Sequence, residues 1–282
     1  MNSFKTYGLM LALLLLFVWI GNLIAGQAGM MWAFFLACAM NFVSYWFSDK
    51  IVLSLYKARE LSQNEAGGLY PLVANISQAA AMPMPKIYMI ESMSPNAFAT
   101  GRDPAHSAVA VTRGIVDLLD NRELSGVIAH ELSHIKNRDT LISMLAATIA
   151  GAVFMLSRMA SWAMMFGGRN DGENRGNGIV MLVVMILAPV AASIIQLAIS
   201  RAREYGADES AARISGDPLA LAGALRKLTD ASKRIPFAAN PVTAHFFIVN
   251  PLKADKVLSF FSTHPPIEER IKRLENLAGM KL

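Results

Sequence analysis

Residues 120–136 read DNRELSGVIAHELSHIK, and inside this run His130-Glu131-Leu132-Ser133-His134 has the spacing H-E-x-x-H. Asp120 suits an N-cap, Glu123 stands at the capping-box position, and Leu124, Val127, Ile128, Leu132 and Ile135 recur at helical spacing. The run therefore predicts a capped helix. On a helix, residues four apart share a face, so both imidazoles can reach one metal ion. Glu131 projects close to the same side, where it can accept a proton from water. Two imidazoles and one carboxylate suit zinc and leave a fourth position for water. The plain alternative is a pair of histidines satisfied within a core; the capped helix around the motif weighs against it.

A third protein ligand is still required. The short-spacer pattern places a histidine six residues beyond His134, but that residue is Thr140. His106, His245 and His264 are candidates, as is a carboxylate on another helix. Glu204 and Asp208 lie four apart in Ser200-Arg201-Ala202-Arg203-Glu204-Tyr205-Gly206-Ala207-Asp208. One of them on zinc and the other holding an imidazole by its free N–H fits the usual build of such sites. A solvated helix face fits the spacing equally well.

Around these motifs the chain is unusually apolar. Of 282 residues 54% are hydrophobic and 17% charged, where a soluble domain carries about a quarter charged. Residues 6–48 and 176–200 contain no charged side chain at all. The first block would be about 65 Å long as one helix, too long for a single crossing of a bilayer. It must fold back, and the soft point is Gly21-Asn22 through Gly26-Gln27. Spans are expected at about 7–25 and 28–47, a retained anchor rather than a cleaved leader. A second pair is expected at about 140–160 and 178–200, with Pro189 kinking the last. The chain then divides into a transmembrane hairpin (1–48), a polar part (49–139), a second hairpin (140–200) and a second polar part (201–282).

Segment 49–139 holds nine Lys/Arg and segment 201–282 thirteen, while the turn after the first span has none. The positive-inside rule puts both termini and both polar segments in the cytoplasm. The formal charge of +5 is mild for a nucleic-acid binder, and no nucleic-acid partner is expected. Cys38 is the single cysteine, which excludes a disulfide framework.

The polar segments read as α+β. Helices are expected at 48–61 and 69–80, then short strands at Lys86–Ile90, Asn96–Thr100 and Ser107–Thr112. The second polar segment reads helical to Ser215, restarts at Asp217-Pro218, and ends in a charged helix after Pro265-Pro266.

Four stretches together resemble the HtpX family of bacterial inner-membrane zinc metalloproteases, relatives of the eukaryotic prenyl-protein proteases. They are the H-E-x-x-H helix, Ser200–Asp208, Asn96-Ala97-Phe98-Ala99, and Phe261-Ser262-Thr263-His264-Pro265-Pro266. The resemblance covers essentially the whole chain. It implies a mainly α membrane protein, with four transmembrane helices and a cytoplasmic α+β zincin-like domain of the Glu-ligand type with a small β-sheet. One Zn2+ per chain would be held by His130, His134 and Glu204, with Asp208 behind an imidazole and Glu131 as catalytic base. Asn96, Ala97, Phe98 and Ala99 would form the edge strand along which a substrate is laid. His264 would lie near the cleft, where an oxyanion-stabilising role and a helix-starting role are both open to it. The implied substrates are misfolded or damaged membrane proteins in the lipid bilayer. Quality control under stress, functional partnership with the ATP-dependent protease FtsH, and self-cleavage are implied with them.

His134 is six residues before Thr140, and Glu204 four after Ser200. If both helices ran on unbroken, the ligands would sit roughly 6–9 Å from the span ends, just above the cytoplasmic face. Two rivals are an intramembrane-cleaving zinc protease and a non-enzymatic scaffold with structural zinc. Asn121, Arg122, Glu123, Lys136 and Arg138 around the motif argue against bilayer burial, and an intact Glu131 argues against a purely structural site.

Overall fold

The computed structural model describes residues 2–139, 203–234, 248 and 265–279. The first apolar block is helical (α1, Asn2–Leu55), and a straight rod of that length would run about 80 Å. It is folded in two. Gly26 takes φ 57°, in the left-handed region that costs glycine nothing, and the chain reverses there, inside the stretch expected to be soft. Asn41 Nδ2 then donates across the two arms to the Met10 carbonyl at 3.2 Å. Phe17 and Ala37 meet in a small core lined by Leu14, Ala33 and Met40. Leu11, Trp19, Trp32 and Phe35 point outward, each more than half exposed. By length and composition Gly26–Phe47 can cross a membrane. The second expected pair of spans lies outside the described residues.

α1 passes residue 48 without a break and ends at Leu55 rather than Leu61. Lys57, at φ 51°, turns the chain into a two-residue strand, β1 (Arg59–Glu60). A short helix α2 (Gln63–Ala66), capped by Ser62 and Glu65, leads to α3 (Leu69–Ala79). The three expected strands follow as β2 (Lys86–Ile90), β3 (Ala97–Asp103) and β4 (His106–Thr112). β3 runs on past Thr100 because a bulge between Gly101 and Asp103 lets it bend into the turn. The sheet order is β1-β2-β4-β3. β2 and β4 are parallel, and β3 and β4 antiparallel with Ala97 opposite Val111 and Ala99 opposite Val109. Among the described residues β3 is thus an edge strand.

Both faces of this sheet are covered, which is why its strands read as apolar runs rather than clean alternation. Ala97, Ala99, Val109 and Val111 pack with Val73 of α3 and with Val127, Ile128 and Leu132. Those last three belong to α5 (Asn121–Lys136), which follows the short α4 (Arg113–Leu118). Phe98, Ala108 and Ala110 face the other way, onto Val52 and Leu53 at the end of α1. The alanines keep both layers close.

α5 is capped as its sequence predicts. Asp120 Oδ1 accepts from Glu123 N at 2.8 Å, and Glu123 Oε2 accepts from Asp120 N at 3.1 Å. Residues 203–215 are helical, and the helices Pro218–Arg234 and Ile267–Gly279 complete the described fold. Gly126 of α5 touches the Pro218–Arg234 helix so closely that a Cβ there would come within 2.7 Å of Leu221 N. The two helices cross backbone to backbone. Gly126→Leu must therefore push them apart, at a cost of about 1–3 kcal/mol. Thermal unfolding of the detergent-purified protein should show a clear drop in midpoint for Gly126→Leu and little change for Gly68→Ser, where the backbone has φ −63° and a side chain meets nothing within 4 Å.

Candidate metal centre

α5 presents His130 and His134 on one face, and the 203–215 helix brings Glu204 opposite them. The His130 and His134 Nε2 atoms are 3.2 Å apart. His130 Nε2 lies 3.6 Å from Glu204 Oε2, and His134 Nε2 lies 3.5 Å from Glu204 Oε1. With zinc bonds of about 2.0–2.1 Å, the edges of a tetrahedron are roughly 3.3–3.4 Å. The three donors thus stand at the spacing that one zinc ion needs.

The opposite nitrogens explain why the lone pairs converge. His130 Nδ1 faces Asp208 Oδ1 at 3.0 Å, and His134 Nδ1 faces Asp139 Oδ2 at 3.3 Å. A carboxylate at Nδ1 keeps the proton there, which leaves the Nε2 lone pair to a cation. Asp208 is itself gripped by Arg270, Nε to Oδ2 at 2.9 Å and Nη2 to Oδ1 at 2.7 Å, a bidentate pair. Arg270 Nη1 lies 3.2 Å from Glu204 Oε2, and Nη2 lies 3.3 Å from His130 Nε2. One fully buried guanidinium therefore touches both carboxylates of the 203–215 helix.

Charge also favours a divalent ion. Among the described residues around the donors, Glu131, Asp139, Glu204 and Asp208 are buried carboxylates. The nearby guanidinium groups are Arg270 and Arg203, whose charge feels Asp139 and Glu204. With neutral imidazoles this leaves two negative charges, which one Zn2+ would balance. Burial alone would pull the His130 pKa down, yet the facing Asp208 and Glu204 carboxylates push it up to about 9. The pocket attracts positive charge. Burial acts to raise Asp208 too, but Arg270 and His130 hold its carboxyl below the ordinary range.

Glu131 is buried at the edge of the sheet, where its Oε2 accepts from Ala99 N at 2.8 Å. Burial, with the Glu204 carboxylate beside it, raises its carboxyl above the ordinary carboxylate range against the pull of the two imidazoles and the Ala99 N–H. A carboxyl raised in this way is suited both to take and to return a proton. Of the other strand residues, Asn96 is buried and its Oδ1 accepts from Ile248 N at 3.3 Å. Ile248 O in turn accepts from Arg270 Nη1 at 3.4 Å. The strand and the metal cluster are thus tied by one chain of bonds, through Asn96, Ile248, Arg270 and Asp208.

His106, a candidate ligand by residue type alone, is exposed and bonded to Asp103, away from the cluster. One expectation needs correction. α5 does not run on toward Thr140: it stops at Lys136 and turns at Arg138, so the unbroken-helix distance does not apply on that side. His245 and His264 lie outside the described residues. Two participants, Arg270 and Asp139, do not stand out from motif spacing. Arg270 has a signal, since it occupies the apolar stripe of its helix with Ile267, Leu274 and Leu277. Asp139 has none, because only the turn after α5 brings it back to His134.

Residues 63–278 match peptidase family M48. The chain belongs to that family. It is 57% identical to the "Protease HtpX homolog" of Thermodesulfovibrio yellowstonii over 99% of both chains. It is 53% identical to that of Aquifex aeolicus, over 92% of this chain and 87% of the relative. In fold it is similar to a crystal structure of S. mikatae Ste24p, at TM-score 0.56 and 20% identity, matching 97% of this chain and 65% of that one. The HtpX resemblance read from the motifs is thereby established. The protein is a metalloprotease, and its His130-His134-Glu204 cluster fits zinc.

Zinc bound here would supply Lewis acidity toward a peptide carbonyl. His130→Ala, His134→Ala and Glu204→Ala should each abolish tight zinc binding, measured as metal content after dialysis. Glu131→Gln should retain zinc and lose cleavage, the outcome expected of a base that is not a ligand.

Proposed function

We propose that this M48 protease is a membrane-integral zinc endopeptidase that cuts extended cytoplasmic segments of misfolded or damaged membrane proteins. The carrying observation is the place of β3. Among the described residues it is an edge strand of the sheet, and it runs beside the carboxylate and the metal cluster that would do the chemistry. Asn96 O accepts from Thr112 N at 2.9 Å, so Asn96, Phe98 and Thr100 turn their backbone groups toward β4. By alternation Ala97 and Ala99 turn theirs the other way, as the Ala99 bond to Glu131 agrees. A peptide added there as a further strand is held by its backbone, and such holding is indifferent to sequence. That suits a protease of damaged proteins, whose common property is an exposed, extended chain.

In this reading His130, His134 and Glu204 hold zinc, and Asp208 steadies His130. Glu131 takes a proton from the attacking water and passes it to the leaving amine. Asn96–Ala99 aligns the substrate, and His264 belongs to the cleft. The membrane assignment draws on the outward Trp and Phe side chains of α1, which in water would form an aggregation-prone patch. We assign the chain four spans, both termini and the site on the cytoplasmic side of the bacterial inner membrane, and a role in stress-related quality control beside FtsH. The exposed Arg122 and Lys136 helix ends keep α5 in water, which disfavours cleavage inside the bilayer.

Ala97→Pro removes one outward donor while leaving the β4 ladder intact. It should keep zinc and lower turnover of an unfolded substrate about tenfold, the loss of one good backbone hydrogen bond. Turnover at the wild-type rate with the fold intact would refute alignment on β3. A tightly folded soluble protein should be cut far more slowly than its unfolded form. For topology, reporter tags at Asp171 and at either terminus should read opposite sides of the membrane.

A further inference from the structure

The two zinc-binding imidazoles are steadied by carboxylates of different origin. Asp208, which faces His130, sits one helical turn beyond the ligand Glu204 and is clamped by Arg270. Asp139, which faces His134 at 3.3 Å, sits on no regular motif. It is 4% exposed, an unusual place for a carboxylate unless something holds it. What places it is the end of α5. Asn137 N bonds to Ser133 O and Arg138 N to Ile135 O, each at 2.9 Å. Arg138 then takes φ 58°, a conformation that costs a non-glycine residue roughly 1 kcal/mol or more. The reversal swings Asp139 back over the last turn of α5, against His134 Nδ1.

We propose that Asp139 is the positioning residue of the second imidazole: its carboxylate fixes the His134 tautomer and ring direction. This rests on the zinc reading of His130, His134 and Glu204. Asp139 does not touch zinc or substrate, and it acts through His134. The strained turn at Arg138 is the structural device that delivers it.

The test measures zinc affinity by chelator competition, on full-length protein in detergent and in a Glu131→Gln background so that no cleavage intervenes. Asp139→Ala should weaken zinc binding about 10–100-fold. Asp139→Asn, which keeps an acceptor oxygen and loses the charge, should fall between it and the parent. The cobalt-loaded protein should show a shifted visible band in Asp139→Ala, because His134 is free to rotate, and the metal-free thermal midpoint should hardly move. Unchanged affinity and an unchanged cobalt spectrum in Asp139→Ala, while Glu204→Ala loses zinc, would overturn this inference and leave the metal centre standing. Stoichiometric tight zinc in Glu204→Ala would instead overturn the metal-centre reading itself. An equal drop in the metal-free and metal-loaded midpoints with unchanged affinity would make Asp139 merely structural, and would also overturn the proposal. Should Asp139→Ala fail to fold, the isosteric Asp139→Asn carries the same comparison.

Discussion

Three electron-pair donors held 3.2 to 3.6 Å apart in a nearly dry pocket repel one another. Everything around the site can be understood as the means of enforcing that arrangement. Each imidazole has a carboxylate behind it, the carboxylate behind His130 has a bidentate arginine, and that arginine reaches the third donor as well. The network extends outward in layers until it meets backbone, at Ile248 and the β3 edge. Removing one member leaves another buried charge without compensation, which is far more costly than the net worth of the pair. The cluster therefore behaves as a unit.

Much of this was legible before any coordinates. Hydrophobic periodicity and the capping box located α5, and an H-E-x-x-H spacing on a helix can converge on one ion by geometry alone. The strands were found because β-branched and small apolar runs ended at glycine and proline. Glu204 was harder: four-residue spacing to Asp208 describes a solvated helix face as well as a ligand and its support, and the resemblance, not the spacing, decided it. Asp139 and Arg270 were hidden for different reasons. Asp139 depends on a left-handed residue at Arg138 where glycine would be the expected signal. Arg270 looked like one more charge in a charged helix, although its position on the apolar stripe was there to be read. The end of α1 was overrun because Lys57, Ala58, Arg59 and Glu60 are ordinary helix formers, and only pairing of Arg59–Glu60 with Tyr88 and Met89 draws them into the sheet.

The sheet links two surroundings that rarely meet in one small domain. Its outer face rests on Val52 and Leu53, at the foot of the apolar hairpin, and its inner face rests on the helix that bears the ligands. Tyr56 and Phe98 rings stand 5.5 Å apart at this seam, and the guanidinium of Arg102 lies 4.6 Å from the Trp46 ring centroid, a cation–π contact. Phe98 lies along β3 between Ala97 and Ala99, whose side chains face α5, and itself faces the hairpin. The strand on which a peptide would be laid is consequently fixed in height and tilt by α1, since rigid support on one face sets the direction of the other.

The turn at Arg138 and the start of the 203–215 helix bracket a long piece of chain. His134 and Glu204 lie about 70 residues apart along the chain, yet their donor atoms are 3.5 Å apart. A metal held between them is therefore a cross-link as well as a reagent. In the chain-entropy picture, closing a loop of about 70 residues removes roughly 4 kcal/mol of freedom from the unfolded chain. Metal loading then couples catalytic competence to mechanical closure: the same event that equips the site for hydrolysis fastens the ends of residues 140–202 together. A metalloprotease built this way carries in its metal a measure of its own integrity, because a chain that has lost its metal has also lost a staple.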